Sequence, residues 1–231
     1  MLSESRLESA LIIAPHPDDE VLGAGGLLAR LKRQGTSVHV IFACVDGMKH
    51  YGLSHRTTTD QRMCEVRRVA DLLNFEFSVL YQGLDLIEKV DTVPQRDLVT
   101  AFEEAIDRLR PDLLALPHGV DFDQDHIACF RAGFAAARPI PASCGKHFVS
   151  RVVTYEMPKL TWSEQAFQPT LYVDIAADLG TKLEALKMYE SQWRTVPHLR
   201  SAETITALAR LRGSESGVEY AEGYRIYRWA V

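Results

Sequence analysis

Short apolar runs alternating with helix-period segments recur along the whole 231-residue chain, and they constrain its fold more than any other feature. Residues 10–14 (ALIIA) are closed at once by Pro15, so they read as a buried strand rather than part of a helix. Across 21–34, the apolar residues Val21, Leu22, Leu27, Leu28 and Leu31 fall at helical spacing, and Gly35 supplies a C-cap. The same rhythm predicts strands over 37–43, 77–81, 112–116, 152–155, 171–173 and 224–229. Helices are predicted over 60–73, 93–109, 127–137, 177–190 and 201–212. Repeated βα units imply an α/β, Rossmann-like fold: one domain over 1–231, with a mainly parallel sheet covered by helices on both faces. In such sheets ligands bind beyond the carboxyl ends of the strands, so the active site is expected there.

Composition narrows the partners. Lys and Arg number 26 against 31 Asp and Glu, a formal net charge of -5, which argues against the broad basic surface that nucleic acid binding favours. The four cysteines, Cys44, Cys64, Cys129 and Cys144, form no C-x-x-C pair, so no Cys-rich zinc knuckle is encoded and reduced thiols are expected. No apolar stretch approaches the roughly 18 residues of a membrane span. Residues 1–10 lack the basic and apolar regions of a secretion signal, and a cytoplasmic protein is expected.

Two clusters carry the chemistry. Directly after the first strand comes Pro15-His16-Pro17-Asp18-Asp19-Glu20, and directly after the strand DLLAL comes Pro117-His118-Gly119-Val120-Asp121-Phe122-Asp123-Gln124-Asp125-His126. A bland reading exists for each: Asp18 or Asp19 as an N-cap, Glu20 as a first-turn acid, and Asp125 as the cap of a later helix. That reading explains one acid at a time, whereas the fold puts both clusters on one sheet edge. A His and an Asp from the first cluster together with His126 make a His₂Asp set with the fourth position left to water, the form of a catalytic zinc site. Of the adjacent pair Asp18 and Asp19, one faces the metal and the other its water. Asp125, beside His126, is a candidate orienter of a ligand.

The opening signature, an apolar strand followed by His-Pro-Asp-Asp-Glu and a Gly-rich helix start over 12–26, resembles the LmbE-like or PIG-L family of zinc-dependent N-acetylglucosaminyl deacetylases. Further similar stretches are Arg62-x-x-Glu65, Asp121-x-Asp123-Gln124-Asp125-His126, Tyr155-Glu156, Lys182, Ser191-Gln192, His198-x-Arg200-Ser201, Arg212-Gly213 and Tyr220-Ala-Glu222. The resemblance implies one Zn²⁺ per chain held by His16, Asp19 and His126, with Asp18 as general base in the hydrolysis of an N-acetylated amino sugar. Many members carry a His where this chain has Asp123, and that His helps to stabilise the oxyanion. Its substitutes are then the zinc itself, Tyr155 or His118. Other outcomes compatible with the motifs are hydrolysis of a thiol-conjugated glucosamine or a natural-product N-acyl group, and a non-enzymatic, metal-containing sugar-binding protein.

The remaining polar residues divide less sharply. His198 and Arg200 are candidate contacts to a substrate phosphate or hydroxyl, against a solvated reading. Arg62 is a candidate facing the loops, against an i,i+3 ion pair with Glu65. His39 reads as structural, and His50, His55 and His147 lie in loops without metal spacing. Gly23-Ala-Gly25-Gly26 lacks the third glycine of a dinucleotide loop, and the acids beside it repel phosphate. Neither the 46–59 and 139–168 loops, where specificity is expected, nor the oligomeric state is readable from these patterns.

Overall fold

Each predicted apolar run becomes a strand. The computed structural model describes residues 7–49 and 55–230; His50 and the centre of the 46–59 loop, residues 50–54, lie outside them. The strands are β1 (Ser9–Ala14), β2 (Ser37–Val45), β3 (Glu76–Gln82), β4 (Leu113–Leu116), β5 (Arg151–Tyr155), β6 (Leu171–Asp174) and β7 (Ala221–Trp229). The helices are α1 (Asp19–Gln34), α2 (Thr59–Leu73), α3 (Gln95–Leu109), α4 (Gln124–Ala136), α5 (Leu179–Met188) and α6 (Ala202–Ser216). They build one sheet in the order β3-β2-β1-β4-β5-β7-β6. The pairs β3-β2, β2-β1, β1-β4 and β4-β5 are parallel, and β7 runs antiparallel to both β5 and β6.

Alternation along β1 sorts the core into two layers. Ala10, Ile12 and Ala14 pack with α1, α2 and α5, whereas Leu11 and Ile13 pack with α3 and α4. Both faces are therefore apolar and covered, which is why the central strands read as continuous apolar runs. Among the described residues, no helix is long and apolar enough to cross a membrane.

Of the boundaries that differ from the sequence expectation, three have identifiable reasons. Helix α4 begins three residues earlier than expected because Asp123, not Asp125, caps it: Asp123 Oδ1 accepts the Asp125 backbone N–H at 3.1 Å. Helix α3 begins two residues late because Pro94 supplies its N-cap and residues 90–92 form a separate 3-10 turn. Helix α6 continues past Gly213 to Ser216 and stops at Gly217, whose φ of 77° suits glycine. Gly213 is instead a close-packing position, since a Cβ there would meet the Glu219 carbonyl at 2.6 Å.

The Gly-rich start of α1 serves packing rather than phosphate. A Cβ on Gly23 would fall 2.1 Å from the Tyr155 ring, and one on Gly26 would fall 2.5 Å from Ile175. Between them Ala24 leaves helical geometry (φ -137°, ψ 16°), so α1 is kinked and some of its backbone groups lose their partners. A buried ion pair supplies replacements. Glu222 on β7 accepts the N–H groups of Gly26 and Leu27 at 2.8 Å each, while Lys182 on α5 donates to the Leu22 carbonyl at 3.0 Å and to Glu222 at 2.6 Å. Truncating Glu222 strands the Lys182 charge and two amides in the core. Glu222→Ala should therefore cost about 3–5 kcal/mol of stability, read as a lower urea midpoint at unchanged slope.

Candidate metal centre

The strand order reverses at β1, whose neighbours are β2 and β4, so the loops after β1 and β4 leave in opposite directions and open a crevice between them. A cavity of about 310 Å³ occupies that position, lined by His16, Asp18 and Asp19 from the first loop and Phe122 and Asp123 from the second. The loop after β1 is held firmly. Arg62 Nη2 donates to the Pro17 carbonyl at 2.7 Å, and the Asp18 carbonyl accepts the Val21 and Leu22 N–H groups that open α1. Asp18 itself sits at φ 105°, a conformation costing a non-glycine residue on the order of 1–3 kcal/mol.

His16, Asp19 and His126 each present one donor atom, and these atoms lie within 4.8 Å of one another. His126 Nε2 is 3.1 Å and His16 Nδ1 is 3.4 Å from the same oxygen, Asp19 Oδ2. Donors around a tetrahedral zinc at about 2.0–2.1 Å stand about 3.4 Å apart, so these spacings fit. The far nitrogens face other carboxylates. His16 Nε2 meets Asp125 Oδ2 at 2.8 Å, and His126 Nδ1 lies 3.3 Å from Asp121 Oδ2. Asp125 is fixed in turn by the N–H groups of Glu88 and Val90 at 2.7 and 2.8 Å, which tie the loop after β3 to His16. Such carboxylate–imidazole pairs orient metal ligands.

The strongest sign that the set is built for a cation is what is left over. Both ring nitrogens of His126 are buried without a hydrogen bond of good geometry, as are Asp18 Oδ2 and Asp121 Oδ2. Unpartnered buried polar atoms are costly, and a metal ion satisfies several at once. Electrostatics agree. Burial would lower the pKa of His16, but hydrogen bonds to Asp125 and Asp19 overcome it and raise the group to about 10. Burial would raise Asp19, yet the imidazoles of His126 and His16 hold its carboxyl well below the usual range. Burial raises Asp18 against the opposing pull of Arg200, and the negative charge of Asp19 adds to the rise.

The other predicted positions separate into those the fold brings together and those it does not. Asp123 lines the cavity, with Oδ2 3.7 Å from His126 Nε2 and 3.0 Å from Lys159 Nζ; burial notwithstanding, His126 and Lys159 hold it down at about 2. His198 and Arg200 line the cavity, and Arg200 Nε stands 3.3 Å from Asp18 Oδ2. Arg62 reaches the cavity edge, but its terminal nitrogens are spent on Pro17, Ser191 Oγ (2.6 Å) and Glu65 (3.2 Å), so it braces the loop instead of offering itself to substrate.

Two expectations are corrected. Tyr155 is fully buried, its ring lies under Gly23, and its hydroxyl donates to the Ile13 carbonyl at 2.9 Å. Alternation on β5 thus turns it into the core, and it is no oxyanion donor. His118 is buried beside Phe167, bonds Thr154 Oγ1 at 3.0 Å, and is lowered to about 4 by burial and then by Arg225; it too points away from the cavity. Sequence reasoning missed Asp121, although it lies in the quoted second cluster. It also missed Lys159, an isolated lysine after β5 that becomes significant only through its approach to Asp121 (3.4 Å) and Asp123.

Comparison with known proteins adds to this geometry. The uncharacterised deacetylase YaiS of Escherichia coli strain K12 is 26% identical over 195 residues, covering 82% of this chain and 94% of that protein. The diacetylchitobiose deacetylase of Thermococcus kodakarensis is 25% identical over 242 residues, covering 95% of this chain and 83% of that one. Among solved structures, the 4-carboxy-2-hydroxymuconate hydratase GalB of Pseudomonas putida superposes with a TM-score of 0.76 at 20% identity, over 97% of this chain and 98% of its own, and that likeness shows the fold alone. Residues 11–137, which contain both clusters of the crevice, match the GlcNAc-PI de-N-acetylase profile, and the chain belongs to that family, PIG-L.

Proposed function

We propose that this chain is a zinc-dependent hydrolase that removes the acetyl group from an N-acetylated amino sugar, free, nucleotide-linked or within a glycoconjugate precursor. The observation that carries the reading is the convergence of His16, Asp19 and His126 beside a carboxylate, Asp18, that is not spent on the triad. The two deacetylase relatives support an amide substrate, and the diacetylchitobiose enzyme supports a sugar bearing it. The hydratase neighbour, whose chemistry is different, is a reason to rest the activity on the site rather than on the fold.

His16 through Nδ1, Asp19 through its carboxylate and His126 through Nε2 would hold the ion. When bound, zinc supplies Lewis acidity that polarises the amide carbonyl and makes water acidic enough to lose a proton near neutral pH. Asp18 takes that proton: burial favours its protonated form, which makes it a better acceptor than a solvated carboxylate. Arg200 positions Asp18 from the cavity side. Once protonated, Asp18 returns the proton to the leaving nitrogen, so that acetate and a free amine form and the residue is regenerated. With Tyr155 and His118 turned away, Lys159 is the wall residue we assign to the carbonyl oxygen as negative charge develops there. Asp121 and Asp123 hold its ammonium over the site, and the Phe122 ring lies 5.2 Å from it.

Metal content and chelation test the reading first. The purified protein should bind one divalent ion per chain, lose acetate release in a chelator and recover it with zinc; a metal-free protein whose turnover ignores chelator would sink the mechanism. Asp18→Asn should keep the metal but lose about 10²–10⁴-fold in kcat, measured as acetate released from a panel of N-acetylated sugars. Lys159→Met should lower kcat about a hundredfold or more with little change in KM, and Lys159→Arg should recover part of it. A variant that raises KM alone would place Lys159 in ground-state binding instead.

A further inference from the structure

The two edges of the sheet are built differently. At one end, β6 has four residues, lies two positions after Pro169 and closes on the exposed Asp174; shortness, proline and charge all keep an edge strand from pairing. At the other end, β3 runs seven residues from Glu76 to Gln82 without proline or lysine, and its register against β2 is constant, with no bulge. Phe77, Ser78, Val79, Leu80 and Tyr81 are all half-buried, although the central strands β1 and β4 are buried almost throughout. This edge is apolar and undefended.

The last bond of the β2-β3 ladder shows which way the main chain faces. The Gly83 N–H donates to the Val45 carbonyl at 3.4 Å, and Val45 is the register partner of Gln82. Residues of a parallel strand alternate between facing a neighbour and facing away from it, so Phe77, Val79 and Tyr81 turn their N–H and carbonyl groups to β2, whereas Ser78, Leu80 and Gln82 turn theirs outward. Among the described residues no main-chain group meets that outer row. The strand is also complementary to itself. Turned antiparallel about Val79, its central residue, it overlaps a second β3 along all seven positions and sets Ser78 opposite Leu80, Phe77 opposite Tyr81 and Glu76 opposite Gln82 on both sides of the axis. Ser78 and Leu80, with outward main-chain groups, then exchange both N–H···O bonds, aromatic Phe77 meets aromatic Tyr81, and Glu76 meets an uncharged partner.

We propose that β3 is a dimerisation edge, at which two copies of this chain pair antiparallel about Val79 and join their seven-stranded sheets into one. A two-fold pairing uses up this edge on both copies and therefore stops at the dimer. It turns the carboxyl ends of the two sheets in opposite directions, so both crevices stay open, and pairing is independent of the reaction carried out in them.

Masses measured by light scattering and sedimentation across a dilution series of the full-length protein should show a concentration-dependent balance of monomer and dimer. Amide hydrogen exchange reads the register: the Ser78, Leu80 and Gln82 amides should gain protection as concentration rises, while those of Val79 and Tyr81, bonded to β2, should be protected at every concentration. Gln82 is exposed and the Glu76 side chain is 90% exposed, so charge can be changed there without disturbing the core. Gln82→Glu places two like-charge pairs across the axis and should raise the dimer Kd about threefold or more, whereas Gln82→Lys places two opposite-charge pairs and should lower it by a similar factor. Salt should weaken both effects. Ser78→Pro removes an outward N–H and should give a monomer, folded by circular dichroism; the Gln82 variants carry the test if it does not fold. A single monomeric mass at the highest concentration reached overturns the proposal, as does a mass that grows beyond the dimer. So does a dimer that ignores the sign of the charge at position 82 and leaves the Ser78 and Leu80 amides equally exposed at all concentrations, since its interface then lies elsewhere.

Discussion

Carboxylates that share a water-poor crevice repel one another, by about 4 kcal/mol for a pair 4 Å apart at an effective dielectric of 20, and the architecture around this site is organised by the imidazoles, ammonium and guanidinium set between them. Asp18, Asp19, Asp121 and Asp125 are each buried, and Asp123 lies beside them. His16 stands between Asp19 and Asp125, His126 between Asp19 and Asp121, Lys159 between Asp121 and Asp123, and Arg200 against Asp18. Acid and base alternate around the cavity, so deleting one basic partner leaves at least one carboxylate without its counterpart. A dication at the triad completes the alternation where two imidazoles face a single carboxylate oxygen.

The sheet makes the alternation possible. Because β1 lies between β2 and β4, its loop and that of β4 border one opening, and the helices that follow, α1 and α4, both begin there. Each brings acids into its first turn, Asp19 and Glu20 on α1 and Asp125 on α4, where the positive end of the helix dipole favours them. The remaining cations come from farther along the chain: Lys159 from the turn after β5 and Arg200 from the segment before α6. Local helix physics thus accumulates negative charge at the crevice, and tertiary contacts supply most of the positive charge.

That division explains what was legible in the sequence. The strands, the sheet edge shared by the two clusters and the grouping of His16, Asp19 and His126 could be read because each follows from a local pattern: an apolar run, a proline stop, or a cluster of ligand-type side chains at a strand's end. Tyr155 and His118 were misjudged because being near a strand's end does not say which way a side chain turns; the space over Gly23 takes the Tyr155 ring, and Phe167 and Thr154 hold the His118 imidazole. Lys159 carries no local signal, since a lysine in a turn looks the same whether it faces solvent or two aspartates. Lys182 and Glu222 were visible as motif residues, but their purpose appears only beside a kink that no residue pattern announces.

The brace at that kink also bears on the order in which the molecule matures. Gly26 N–H finds its acceptor on Glu222, 196 residues further along the chain. Helix α1 carries Asp19 and begins beside Asp18, so the earliest residues of the crevice are anchored to a strand synthesised long after them. During synthesis the Gly26 and Leu27 amides have no Glu222 acceptor until β7 has been made and pairs with β5 and β6. The pocket is thereby coupled to completion of the sheet: a nascent chain can display the His-Pro-Asp-Asp sequence early, but it gains a rigid binding site only when its distant strand has docked.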